Sequence, residues 1–234
     1  MSHPAAVRSH STGTQPPYRH DAYVSTQKRS PSQPLIAIPR TLSERSGPSF
    51  DRSLVGDAHI DLTRFDGGIA NGERIVLSGR VSDEDGRPVS NTLIELWQAN
   101  AAGRYLHERD THDAPLDPHF KGESRVLTDD DGRYRFLTIR PGAYPWGNHR
   151  NAWRPAHVHF SLFGNAYTQR LVTQMYFPGD PLLAFDPIFC AVPEGEARTG
   201  LIARFDWETT EPDYALGFRF DIVLAGRGAT FFET

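Results

Sequence analysis

Two histidines two residues apart are the first sign of chemistry in this sequence. His157 and His159 stand in RPAHVHFSLF (154–163), a run rich in β-branched and aromatic residues of the kind that forms a strand. Side chains alternate between the faces of a strand, so both imidazoles point to one side, while Val158, Phe160 and Leu162 form an apolar opposite face. Imidazoles that converge on a polar spot suit a metal ion. They equally suit hydrogen bonds to each other or to water, and the pair alone leaves both readings open.

Two tyrosines upstream extend the question. Tyr144 sits beside Pro145 and Trp146 in PGAYPWGNHRNAW (141–153), which its prolines and glycines mark as a loop, where functional side chains concentrate. Tyr105 lies in NAAGRYLH, just after a strand ending near Ala99. Each alone reads as ordinary aromatic packing. A tyrosine becomes a good ligand when a strong Lewis acid displaces its proton, since its free pKa is about 10. Ferric iron is acidic enough to do so.

Strands are what the chain offers to position these groups. RIVLSGRV (74–81) alternates, SDEDG turns at Asp85-Gly86, and TLIELWQA (92–99) returns, which predicts a hairpin. TDDDG turns in the same way at Asp131-Gly132 between SRVLT and RYRFLTI. That turn lacks the alternating acidic spacing and twelfth-position Glu of an EF-hand, so it reads as structural. In the last strand, GFRFDIVL (217–224), Phe218, Phe220, Ile222 and Leu224 share a face. The best helix candidate is EGEARTGLIARF (194–205). The pattern predicts an all-β fold, an antiparallel β-sandwich with long loops, over residues 61–234. Residues 1–60 mix Ser, Pro, His and Arg around one apolar cluster, LIAIP at 35–39. They cannot build a core and read either as a disordered leader or as an extended arm packed on a partner subunit; Tyr18, Tyr23, Leu35 and Ile36 favour the arm, which is the expectation.

Composition narrows the function classes. The 25 Lys+Arg against 29 Asp+Glu leave a net charge of −4, which gives no basic footprint for nucleic acid. Cys190 is the only cysteine, the start MSHPAAVRSH lacks the apolar core of a secretory signal, and no run reaches the roughly 20 apolar residues of a membrane helix. A soluble cytoplasmic protein is expected.

ELWQANAAGRY, GAYPW, WRPAHVHFSLF and TQMYFPGDP occur in the order and spacing of a known family. The chain resembles the intradiol ring-cleavage dioxygenases, and among them the beta-type chains that act on protocatechuate. The likeness runs from about Leu35 to RFDIVL, and agrees with the sandwich. It implies a non-haem Fe(III) held by Tyr105, Tyr144, His157 and His159, with Tyr105 the lasting anchor and Tyr144 the one that leaves and takes a substrate proton. It also implies that Arg154 faces the bound ring, that Gln174 is a nearby hydrogen-bonding amide, and that Trp97, Trp146 and Ile188 wall the pocket. Tyr23 of the arm would reach the substrate carboxylate. The implied reaction opens an aromatic diol, protocatechuate, with O2 to 3-carboxy-cis,cis-muconate, in a hetero-oligomer with an alpha-type subunit. The alternatives are a catechol or hydroxyquinol dioxygenase, whose N-terminal helical region residues 1–60 do not resemble, and a non-catalytic transthyretin-like binding module.

Overall fold

The computed structural model describes residues 15–34, 36, 50, 51, 53, 55, 60–163, 170–224, 229 and 230. Leu35 and most of the apolar cluster at 35–39 lie outside them, and Ile36 is exposed. Helix α1 (Thr26–Arg29) lies in the N-terminal segment. Strands then follow in order: β1 (Arg64–Phe65), β2 (Gly68–Ile69), β3 (Arg74–Ser82), β4 (Leu93–Trp97), β5 (Glu123–Leu127), β6 (Arg133–Ile139), β7 (Tyr144–Pro145), β8 (Trp153–Arg154), β9 (His157–Phe163) and β10 (Leu171–Tyr176). A 3-10 helix (Pro181–Phe185), α2 (Pro187–Ala191) and α3 (Glu196–Thr199) lead to β11 (Arg204–Phe205), β12 (Leu216–Arg219) and β13 (Ile222–Val223).

Alternating sequences produce two main sheets. One runs β10-β9-β4-β5; the other runs β11-β12-β3-β13, with β6 also paired to β3. Their inner faces meet in one core. Ile94, Leu96, Val158, Phe160, Leu162 and Met175 face Ile75, Leu77, Val81, Tyr134, Phe136, Phe218, Phe220 and Ile222. Each large side chain removed from water there contributes about 1.5–3 kcal/mol. The shared face expected for Phe218, Phe220, Ile222 and Leu224 is present, with Leu224 packed at the edge of the core.

Three sequence expectations are corrected. The two Asp-rich turns exist, but neither joins a simple hairpin. After Asp83–Arg87 closes locally, the chain leaves β3 and enters the opposite sheet as β4; after Asp129–Arg133 it passes from β5 back to β6 in the sheet of β3. Turn chemistry fixes where the chain reverses, while the partner of each strand is chosen by which inner face it can cover. The second sheet is mixed rather than antiparallel, because β12 and β13 run parallel to β3. Gly79 permits this C-terminal strand to approach, since a Cβ there would lie 1.9 Å from the Phe220 carbonyl oxygen. Finally, the helix expected over 194–205 is only the four residues of α3. Beyond Gly200, Ala203 N and Leu201 O bond the backbone of Tyr176, and residues 204–205 become a strand.

Candidate metal centre on the outer face of the four-stranded sheet

The site begins with register. His159 lies between Trp97 and Gln174, and His157 beside Tyr176, so four neighbouring strand positions and the second histidine share the face turned away from the core. Trp97 stacks flat on His159, with ring centroids 4.8 Å apart and planes at 2°. His157 Nδ1 lies 2.7 Å from the Pro155 carbonyl oxygen. A carbonyl can only accept, so Nδ1 carries the proton and Nε2 turns its lone pair to the site.

The tyrosines arrive on loops that meet through glycine. Asn100, buried after β4, organises the first loop: its side-chain oxygen accepts from Ala102 N and Arg104 N, and its amide donates to Pro115 O at 2.9 Å. A Cβ on Gly103, whose φ is +80°, would come within 2.1 Å of Ala143 O, so only glycine lets the loop bearing Tyr105 close on the one bearing Tyr144. The tyrosine rings meet edge to face at 5.5 Å. β7 pairs with β8, setting Tyr144 opposite Arg154 and its hydroxyl 3.1 Å from His157 Nε2.

Arg154 is the electrostatic centre of the group. Its Nη2 donates to Gln174 Oε1 (2.6 Å), Asp186 Oδ2 (2.8 Å) and Tyr176 Oη (3.1 Å), while Nη1 lies 3.1 Å from His157 Nε2. Burial alone would lower its pKa, but Tyr176, Asp186 and Tyr144 outweigh that and raise it. The histidines respond oppositely. Burial first, and the Arg154 charge second, push His157 well below its ordinary value and His159 down to about 3. Both imidazoles are therefore neutral at physiological pH and hold lone pairs ready for a cation. Burial, then Tyr144, pushes the Tyr105 phenol well above 10.0.

Comparison with known proteins gives the family. A dioxygenase family model matches residues 45–226, and the model described as the N-terminal part of the protocatechuate 3,4-dioxygenase beta subunit matches residues 8–41. The chain is 56% identical to a protocatechuate 3,4-dioxygenase beta chain from Burkholderia cepacia, covering 100% of both. The chain belongs to the intradiol dioxygenase family. It is also 31% identical to a protocatechuate 3,4-dioxygenase alpha chain from Pseudomonas putida, over 85% of this chain and 98% of that one. A catechol 1,2-dioxygenase structure from Acinetobacter sp. ADP1 superposes with a TM-score of 0.53 at 28% identity, over 72% of this chain and 58% of that chain.

The donor set of this intradiol dioxygenase chain fits a hard, strongly acidic metal ion. Tyr105 Oη and His159 Nδ1 are both buried without a hydrogen-bond partner, a costly arrangement that a ligand would relieve. Among the described residues no group of three or more His, Cys, Asp or Glu could hold a metal, so coordination here would need the phenols. Trp146 lies 5.5 Å from the Arg154 guanidinium and 5.7 Å from the Tyr23 ring. Tyr23 is held there by Asn148, which accepts from Val24 N and donates to Ala22 O, both at 2.8 Å. This part of the arm thus lies against its own chain's loop. Ile188 is buried at the start of α2.

Sequence reasoning passed over Asp186, Tyr176, Asn100 and Asn148. Asp186-Pro187 carried a usable signal, since an Asp before Pro is a helix N-cap signature, and its Oδ1 does cap Ile188 N. Nothing local marks the other three, whose partners lie elsewhere in the chain or depend on loop conformation.

Proposed function

We propose that this chain is the iron-bearing, beta-type subunit of an enzyme that cleaves protocatechuate with O2 between its two hydroxylated carbons, giving 3-carboxy-cis,cis-muconate. The observation that carries the reading is the convergence of two neutral histidines and two tyrosines, with orphaned donors, on one buried spot. Tyr105, Tyr144, His157 and His159 would hold a non-haem Fe(III). Bound there, the ion would supply Lewis acidity that ionises phenols and draws electron density from a bound diol.

The chain's own groups then divide the work. Tyr105, half-buried with its hydroxyl enclosed and its amide anchored by Asp110, suits the ligand that stays. Tyr144 comes from the short β7–β8 hairpin and suits the one that moves off and accepts a proton. A diol that loses two protons, one to the Tyr144 phenolate and one to a hydroxide that leaves as water, replaces two single negative charges with one dianion. No net charge is added to a buried site, where unpaired charge costs most. Arg154 stabilises negative charge developing on the ring, and Gln174 holds the same guanidinium. Trp97, Trp146 and Ile188 would wall the pocket, with Tyr23 near the substrate carboxylate.

The similarity to both beta and alpha chains supports assembly with an alpha-type partner. Residues 1–60 would be the arm and 61–234 the catalytic sandwich. Among the described residues no helix is long and apolar enough to cross a membrane, which accords with a cytoplasmic enzyme. The test is co-expression with an alpha-type chain, followed by elemental analysis, a visible spectrum and O2 uptake with protocatechuate. About one iron per chain, a phenolate-to-iron charge-transfer band and ring-opened product are expected. Folded protein from iron-sufficient cells with neither iron nor band would sink the reading.

A further inference from the structure

One carboxylate outside the ligand set has an unusual pair of partners. Asp186 lies between the 3-10 helix and α2, with no side-chain exposure, and meets Arg154, whose side chain is 4% exposed. Its Oδ2 accepts from Arg154 Nη2 at 2.8 Å, and its Oδ1 accepts from Ile188 N at 3.1 Å. Among the described residues this is the ion pair that Arg154 makes.

We propose that Asp186 is the positioning residue for the Arg154 guanidinium. The geometry of the fork carries this. Gln174, Tyr176 and Asp186 all engage Nη2, so that arm is fixed in a socket of acceptors, and the planar guanidinium turns Nη1 toward His157 Nε2 at 3.1 Å. Gln174 and Tyr176 are neutral acceptors on β10; Asp186 alone brings charge. Without it a buried cation would face the site with neutral partners only, and its cheapest response is to swing toward water or a phenolate. The same carboxylate caps α2, so the orientation of Arg154 and the placement of Ile188 depend on one side chain. The inference deepens the iron-dioxygenase reading above and rests on it for the catalytic consequence.

The test is a double-mutant cycle on the assembled enzyme with Asp186→Asn, Arg154→Gln and both together, reading kcat, KM, iron per chain, the visible band and the melting temperature. In the otherwise native chain Asp186→Asn should lower kcat for protocatechuate by about 10- to 100-fold, the scale of a misplaced catalytic group, with iron and band retained. With Arg154→Gln already present, it should change kcat less than about twofold, because the group it positions is gone. Equal losses in both backgrounds, no loss in either, or a loss that tracks missing iron overturns the proposal. Melting gives an independent decision. Asp186→Asn strands a buried guanidinium, so the double variant should melt above that single variant, and should fold even if the single does not. Additive melting losses, or a double variant that fails to fold, overturn it. Should the native enzyme carry no iron and consume no protocatechuate, the functional reading fails, while the melting cycle still decides whether Asp186 holds Arg154.

Discussion

The two sheets treat their outer faces in opposite ways. On the five-stranded sheet the outward positions of β3, β6 and β12 carry Arg80, Arg133, Arg135 and Arg219, and the ion pairs of Arg135 and Arg219 are solvated: Arg135 with Glu211 has side chains 50% and 45% exposed, and Arg219 with Asp221 46% and 33%. On the four-stranded sheet the end of the corresponding face that carries Trp97, His157, His159, Gln174 and Tyr176 is covered by the 100–105 loop, the β7–β8 hairpin and the segment around Asp186, while Glu95 further along it stays solvated with Arg170, side chains 31% and 49% exposed. Charge on the first face has water as an alternative partner, so individual pairs contribute little. Charge at the covered end of the second, where Arg154 and Asp186 are buried, has none, so each polar group there must find a protein partner or a ligand. That difference explains why the Tyr105 hydroxyl and His159 Nδ1, both buried without a partner at this covered end, suit a ligand.

The contrast can be tested from its strongest side downward. Asn100→Ala should be costly, because it strands the amides of Ala102 and Arg104 and the Pro115 carbonyl, and releases the loop carrying Tyr105. A loss of roughly 2–4 kcal/mol is expected in urea unfolding, with less iron per folded chain. A loss no larger than that of a surface pair would break the comparison.

Tyr134 probes the boundary, since it shares β6 with the solvated Arg133 and Arg135 but points inward and donates to the Phe220 carbonyl at 2.5 Å. Tyr134→Phe should cost about 1–2 kcal/mol at neutral pH. Burial first, and Asp221 second, raise its pKa above 10.0. A raised folded-state pKa means stability that is fully present below the unfolded value and lost as pH climbs above it, where the unfolded chain ionises first. Unfolding midpoints between pH 8 and 11 should therefore fall more steeply in the native chain than in the variant; equal slopes would show that Tyr134 is not held neutral.

Glu211→Gln completes the series at the solvated end. Removing this half of an exposed pair should move stability by less than about 0.5 kcal/mol, and less still at high salt. A shift above about 1 kcal/mol would mean that the outer face of the five-stranded sheet is more structured than its exposure implies.

How much of this was legible depended on the range of the signal. Alternation in 157–163 was enough to put His157 and His159 on one face and Val158, Phe160 and Leu162 on the other, and the buried core confirms that division. The Asp-rich turns were legible too, because Asp83 and Asp129 bond amides two and four residues on. Strand partners were not. β3 was expected to pair with β4, yet the two lie in opposite sheets, since pairing is decided by which inner faces close one core and not by the turn between them. The short α3 failed its longer expectation for a similar reason: the backbone of Tyr176 recruits residues 201–203.

The sequence by itself determined the strand faces, the turns, the order of the tyrosine and histidine motifs and the family, because each of these is written in local periodicity or in residues at fixed separations. Tertiary structure decided how the groups work together. Asn100 and Gly103 close one loop on another, Asn148 pins the arm beside Trp146, and Asp186 reaches Arg154 from 32 residues away. Such contacts join segments with no local relation, and they form only when two sheets bury a common core and leave part of one outer face to be covered by loops rather than by water.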